Sequence, residues 1–125
     1  MAMLRGEAPV IFGDGKQSRD FTFVENAVAA NLLAAETPAE RVAGKFFNVA
    51  CGDSISLLQL VAELNRLTSQ KLQPRFEPPR VGDVRSSQAD IATAVAALGY
   101  KAEVPWTDGL GRELDFYRQT AAALH

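Results

Sequence analysis

Two short stretches concentrate side chains able to hold an anion. The first runs Gly13-Asp14-Gly15-Lys16-Gln17-Ser18-Arg19-Asp20-Phe21, and the second Pro78-Pro79-Arg80-Val81-Gly82-Asp83-Val84-Arg85-Ser86-Ser87. Neither carries the apolar periodicity that would explain its polar density as the outer face of a helix or strand. In the first, the glycines permit positive φ and a close approach of backbone to ligand. Arg19 adds a planar, permanently charged fork suited to phosphate. In the second, two prolines stiffen the approach and Gly82 allows a sharp bend between Arg80 and Asp83. An arginine for phosphate with a carboxylate for ribose hydroxyls makes a workable nucleotide grip. Each stretch also has a plainer reading: a solvated hairpin with Arg19 paired to Asp14 or Asp20, and a loop with a surface Arg80–Asp83 pair of little energetic weight. Composition alone favours those plainer readings.

Other chemistries find no support. His125 is the single histidine and stands at the C-terminus, which argues against a triad or a zinc site. Cys51, the single cysteine, has no histidine near it in sequence and reads as a buried structural thiol. Asp108, Glu113 and Asp115 fit the solvated face of a helix, and Trp106, beside Pro105, fits a core plug. A dinucleotide fingerprint needs a third glycine at fixed spacing. Gly13-Asp14-Gly15 is followed by Ser18 at that place, and Gly109-x-Gly111 by Leu114.

The elements that must position these residues are mixed. A helix ending at Gly6 is expected over residues 1–6, then an apolar run over 8–12 stopped by the Gly-Asp-Gly turn. Residues 24–35 predict a helix, with Val24, Ala27, Val28, Asn31 and Leu32 at helical spacing and Thr37-Pro38 as its end. Lys45–Ala50 reads as a strand closed by Cys51-Gly52. Ser56 and Gln59 form a capping box, opening a helix with Leu57, Leu60, Val61, Leu64 and Leu67 on one face. Arg75-Phe76-Glu77 is expected to be extended before Pro78. Asp90 is expected to cap a helix stopped by Gly99, and Thr107 to cap the last one, with Leu110, Leu114 and Tyr117 sharing a face. The fold class is therefore a small mixed α/β domain, with short strands and about four to five helices.

Bulk properties set limits. The 125 residues fit one small domain or a piece of a larger one. A 47% hydrophobic and 22% charged composition is globular. The net charge of −2 offers no global attraction to nucleic acid or an anionic membrane, so any anion site must be local. No apolar run approaches the roughly 20 residues of a membrane span, and the start lacks a signal-peptide core. A lone cysteine fits a reducing compartment. The cytoplasm is the expected location.

Taken in order, four motifs resemble one family. Residues 10–24, Val-Ile-Phe-Gly-Asp-Gly-Lys-Gln-Ser-Arg-Asp-Phe-Thr-Phe-Val, are similar to the signature opening the C-terminal region of extended short-chain dehydrogenase/reductases, the sugar-nucleotide epimerases and dehydratases. Phe47-Asn48-Val49-Ala50-Cys51-Gly52 is similar to their next strand and Arg80-Val81-Gly82-Asp83-Val84-Arg85 to their second ligand loop. Ala89-Asp90-Ile91 and Leu98-Gly99-Tyr100 match the late helix. The resemblance is nearest to the branch of UDP-N-acetylglucosamine and UDP-glucose 4-epimerases, with a 4,6-dehydratase as the runner-up. It implies that Arg19 and Arg80 clamp the diphosphate and that Asp83 binds the ribose hydroxyls. Backbone groups of Val10 and Phe12 would meet the uracil edge, and Ser87 would face the sugar 2-substituent with room for an N-acetyl group. It implies further that NAD is bound by an N-terminal Rossmann domain absent from residues 1–125, and that the chain is not catalytic on its own. The family's Tyr-x-x-x-Lys pair is missing, because Tyr100 precedes Val104 and Tyr117 precedes Ala121 at that spacing. The opening Met-Ala-Met-Leu-Arg-Gly reads as mid-helix sequence. Members of the family usually form homodimers through the half not present here. Departures occur at Asn26, Phe23 and Cys51, where aspartate, tyrosine and serine are common. An alternative of another class is a non-catalytic module that binds a nucleotide-diphosphate sugar.

Overall fold

Among the described residues, four short strands make two separate two-stranded sheets, and five α-helices pack around them. The computed structural model describes residues 2–123, so His125 lies outside the described residues. A 3-10 turn at Met3–Arg5 ends at Gly6 in the left-handed conformation. Strand β1 (Val10–Phe12) and strand β2 (Ser18–Arg19) flank the Gly-Asp-Gly turn. Helices α1 (Val24–Glu36) and α2 (Ala39–Val42) follow, then β3 (Ile55–Ser56) and α3 (Leu57–Thr68). Strand β4 (Arg75–Glu77) leads through the second polar loop to α4 (Ala92–Leu98) and α5 (Trp106–Ala123).

β1 pairs in parallel with β4, Ile11 facing Phe76, while β2 pairs antiparallel with β3, Arg19 facing Ile55. Two small apolar cores support these pairs. Ile11 packs with Met3 and Val61 beneath β1, and Ala30, Ala94, Leu98 and Tyr100 hold α1 to α4. The capping box forms as expected: Ser56 Oγ accepts from the Gln59 N–H at 3.2 Å, and the Gln59 side chain accepts from the Ser56 N–H at 2.8 Å. It fixes the start of α3 directly behind β3, and so the position of Arg19 on the strand beside it.

The structure corrects four expectations. Lys45–Ala50 forms no strand; Phe47 and Val49 turn toward the core and Phe46 is 92% exposed, but no partner strand lies beside them among the described residues. Extended backbone becomes a strand only when a ladder is available. On α1 the buried positions are Asn26 and Ala30, and Val24, Val28 and Leu32 are exposed. Small alanines win the interior because they let α1 approach α4 closely. Asp90 caps α4 from one residue further out than expected, accepting the Ala92 N–H at 2.9 Å while Ile91 is the N-cap. α5 starts at Trp106, which puts Thr107 inside its first turn rather than at its cap.

Asn26 explains its own burial. Its amide donates to the Val104 carbonyl at 2.8 Å and its carbonyl accepts the Val104 N–H at 3.0 Å, tying α1 to the entry of α5. A buried amide with both halves satisfied is tolerated where an unpaired one would be costly.

Candidate functional site

The two polar loops, distant in sequence, are zipped together around Ser18. β2 uses one edge for β3; on the other, Ser18 forms an isolated parallel bridge with Ser86. The Ser18 N–H donates to the Arg85 carbonyl at 3.0 Å, and the Ser87 N–H donates to the Ser18 carbonyl at 3.1 Å. The Ser18 and Ser86 hydroxyls share a hydrogen bond of 2.9 Å. β4, held along β1, delivers the chain to Pro78-Pro79 and so brings the second loop over the first. Gly15 closes the turn between them. Its φ is +75°, the left-handed region that favours glycine, and a Cβ there would also push on the exposed Leu58 side chain.

The result is a cleft of about 460 Å³ walled by Val10, Phe12, Gln17, Arg19, Arg80 and Asp83. Arg19 donates from one terminal nitrogen to the Ser18 carbonyl at 2.7 Å and from the other to the Asp83 carboxylate. The Arg80 guanidinium stacks over the Phe12 ring, 4.0 Å from its centre. That cation–π placement orients the charge without neutralising it, and Arg80 has no carboxylate partner among the described residues. Beside the cleft, Arg85 binds both oxygens of Asp14, at 3.0 and 2.9 Å. Asp14 also accepts the Lys16 N–H at 2.9 Å. That backbone donor first, and Arg85 second, hold the Asp14 carboxyl below the usual carboxylate range.

Five of the six residues singled out from sequence thus line one cleft: Val10, Phe12, Arg19, Arg80 and Asp83. Ser87 does not; it is exposed and serves the zipper through its backbone. Both plainer pairings are replaced. Arg19 pairs with Asp83 from the other loop, not with Asp14 or Asp20, and Arg80 stacks on Phe12 instead of meeting Asp83. Asp20 has a different task, accepting the Cys51 and Gly52 N–H groups at 3.0 Å each. The Cys51 thiol donates to the Phe21 carbonyl at 3.3 Å, and burial, with the Asp20 carboxylate behind it, pushes its pKa up.

Gln17 was not picked out by sequence. It is buried, donates to the Phe12 carbonyl at 2.6 Å, and leaves its own carbonyl oxygen without a partner on the cleft wall. Its only sequence signal was a polar residue amid others in a loop. The Arg85–Asp14 strap was missed for the same reason.

Among the described residues no three His, Cys, Asp or Glu side chains cluster as metal ligands. The Gly-Asp-Gly turn opens a strand, not a helix, so it lacks the helix N-terminus that receives a dinucleotide pyrophosphate. No helix of the described residues is long and apolar enough to cross a membrane.

The first 50 residues match the NAD dependent epimerase/dehydratase family. Beyond them the likeness continues, since a UDP-glucose 4-epimerase of Mycolicibacterium smegmatis is 35% identical over 94% of this chain. Sequence and fold relate the chain to this epimerase family. The chain spans 36% of the length of that curated relative. Among solved structures, UDP-glucose 4-epimerase of Thermotoga maritima, determined with UDP-glucose, superposes with a TM-score of 0.87. It is 38% identical, with 95% of this chain and 37% of that one covered. The UDP-N-acetylglucosamine 4-epimerase of Methanobrevibacter ruminantium, in complex with UDP-N-acetylmuramic acid, superposes with a TM-score of 0.85 at 31% identity. It is covered over 37% of its length, and this chain over 95%. The small mixed α/β domain is thus the fold of one part of Rossmann-type epimerases.

Proposed function

We propose that residues 1–125 are the substrate-binding part of an NAD-dependent nucleotide-sugar 4-epimerase acting on a UDP-hexose or UDP-N-acetylhexosamine. The observation that carries this reading is the convergence of Arg19, Arg80 and Asp83 from two remote loops into one cleft. Two guanidiniums, one fixed by Ser18 and one by the face of Phe12, suit the two phosphates of a diphosphate. Asp83 can accept from ribose hydroxyls. The edge of β1 at Val10 and Phe12 offers backbone groups to a base, the Phe12 carbonyl through its second lone pair because Gln17 takes the first.

These residues bind and orient; none of them moves a proton or hydride. NAD, when bound, supplies the hydride acceptor and donor, and in this reading a further part of a longer protein holds it. The relatives' greater length supports that division.

Calorimetric titration with UDP-N-acetylglucosamine and UDP-glucose tests the reading. We expect weak binding, millimolar at best, weakened further by at least about tenfold in Arg19→Ala or Arg80→Ala, as loss of a charged hydrogen bond implies. Binding that both variants leave unchanged would refute it.

A further inference from the structure

We propose that Gln17 is a positioning residue for nucleobase recognition: its amide fixes the Phe12 carbonyl on the cleft wall, so that the lone pair left over is presented to a base. This rests on the nucleotide-diphosphate reading of the cleft. The peptide joining Phe12 to Gly13 is held from both sides. Its N–H donates to the Glu77 carbonyl of β4 at 2.8 Å, and its carbonyl accepts from the Gln17 amide nitrogen at 2.6 Å. The bond to β4 alone would leave the plane free to rock, and Gly13, at φ +89°, opposes that motion less than any other residue would. The amide on the opposite side stops it.

Gln17 itself cannot follow a moving carbonyl. It is 6% exposed, and its backbone carbonyl accepts the Leu57 N–H at 3.2 Å, where α3 begins. For stability alone its side chain is a poor choice. Its carbonyl oxygen is buried without a partner, and an unmet buried acceptor destabilises a fold, whereas methionine would fill the same space without one. What glutamine adds is a donor, and that donor goes to Phe12 on the wall of the cleft. A carbonyl oxygen has two lone pairs. Gln17 takes one and thereby fixes where the other points. A base that carries an N–H, as uracil does at N3, can donate to it, and a bare diphosphate makes no use of it.

Amide NMR titrations of the 125-residue chain with UDP, with UDP methylated at uracil N3 and with inorganic pyrophosphate test this. Gln17→Met and Gln17→Leu are titrated alongside, after circular dichroism shows each to be folded. Both variants should bind UDP about fivefold more weakly than wild type, the scale of one neutral hydrogen bond, yet bind the N3-methylated ligand and pyrophosphate as wild type does. A loss shared by the N3-methylated ligand or by pyrophosphate marks a purely structural role and overturns this inference. Unchanged UDP binding in the variants, with Arg80→Ala still weakening it, also overturns the inference and leaves the nucleotide reading standing. Failure of folded wild type to bind UDP overturns both.

Discussion

Gly109 lies on α5 where the helix crosses Phe23, four residues beyond Arg19, and a Cβ at Gly109 would stand 2.6 Å from the Phe23 Cβ and 2.8 Å from its Cγ. The Phe23 Cβ is fixed by the backbone, so no rotamer change clears that contact. Replacing a helical glycine by alanine ordinarily stabilises by up to about 1 kcal/mol. Overpacking of this kind costs about 1–3 kcal/mol. The overlap wins, and Gly109→Ala should lose a net ~1–2 kcal/mol, lowering the thermal midpoint by roughly 3–10 °C for a chain of this size. Gly111 supplies the control, two residues along the same helix, where an added Cβ meets nothing within 4 Å. Gly111→Ala should therefore raise stability by about 0.5–1 kcal/mol. Thermal and urea unfolding followed by circular dichroism measure both. If Gly109→Ala unfolds at or above the wild-type midpoint, the close crossing of α5 over Phe23 is wrong, and with it the support under the segment carrying Arg19.

Three further outcomes are expected. Asn26→Ala should destabilise by about 1–3 kcal/mol, because it leaves the N–H and carbonyl of the half-buried Val104 without their partner; a urea midpoint close to wild type would contradict this. The Asp14 carboxyl has a folded-state pKa below its unfolded value. Its strap to Arg85 should therefore be intact above about pH 4 and released as pH falls through the lower folded value. Carboxyl-carbon NMR should show a midpoint below that of a free aspartate, and one at or above it would sink the assignment. Cys51, its thiol pKa raised by burial, should react with a disulfide reagent more slowly than a free thiol at pH 7.5 and catch up in urea. Equal rates in both conditions would show an open thiol.

Local signals were legible in the sequence and long-range ones were not. The Ser56–Gln59 capping box and the left-handed stop at Gly99 depend on residues within one turn, and both stand as expected. Lys45–Ala50 keeps the alternation of a strand, with Phe47 and Val49 inward and Phe46 and Asn48 outward, yet a strand also needs a neighbour that local pattern cannot supply. On α1, valine and leucine at helical spacing suggested the inner face, but the close approach of Ala30 to Ala94 reversed it. The cleft follows the same rule. Residue types at Arg19, Arg80 and Asp83 suggested an anion grip beside the plainer surface pairings, whereas the partners came from geometry. Arg19 meets Asp83 across 64 residues and Arg85 meets Asp14 across 71, and no spacing rule reaches that far.

The central claim is that the two zipped loops grip the diphosphate of a nucleotide sugar. Titration of the isotopically labelled chain with UDP-N-acetylglucosamine, followed by amide and arginine side-chain NMR, tests it most directly because millimolar binding still moves resonances. Shifts should be confined to residues 10–19 and 78–87, largest at the Arg19 and Arg80 guanidiniums. Shifts centred elsewhere, or a spectrum unmoved at high ligand concentration, would contradict it.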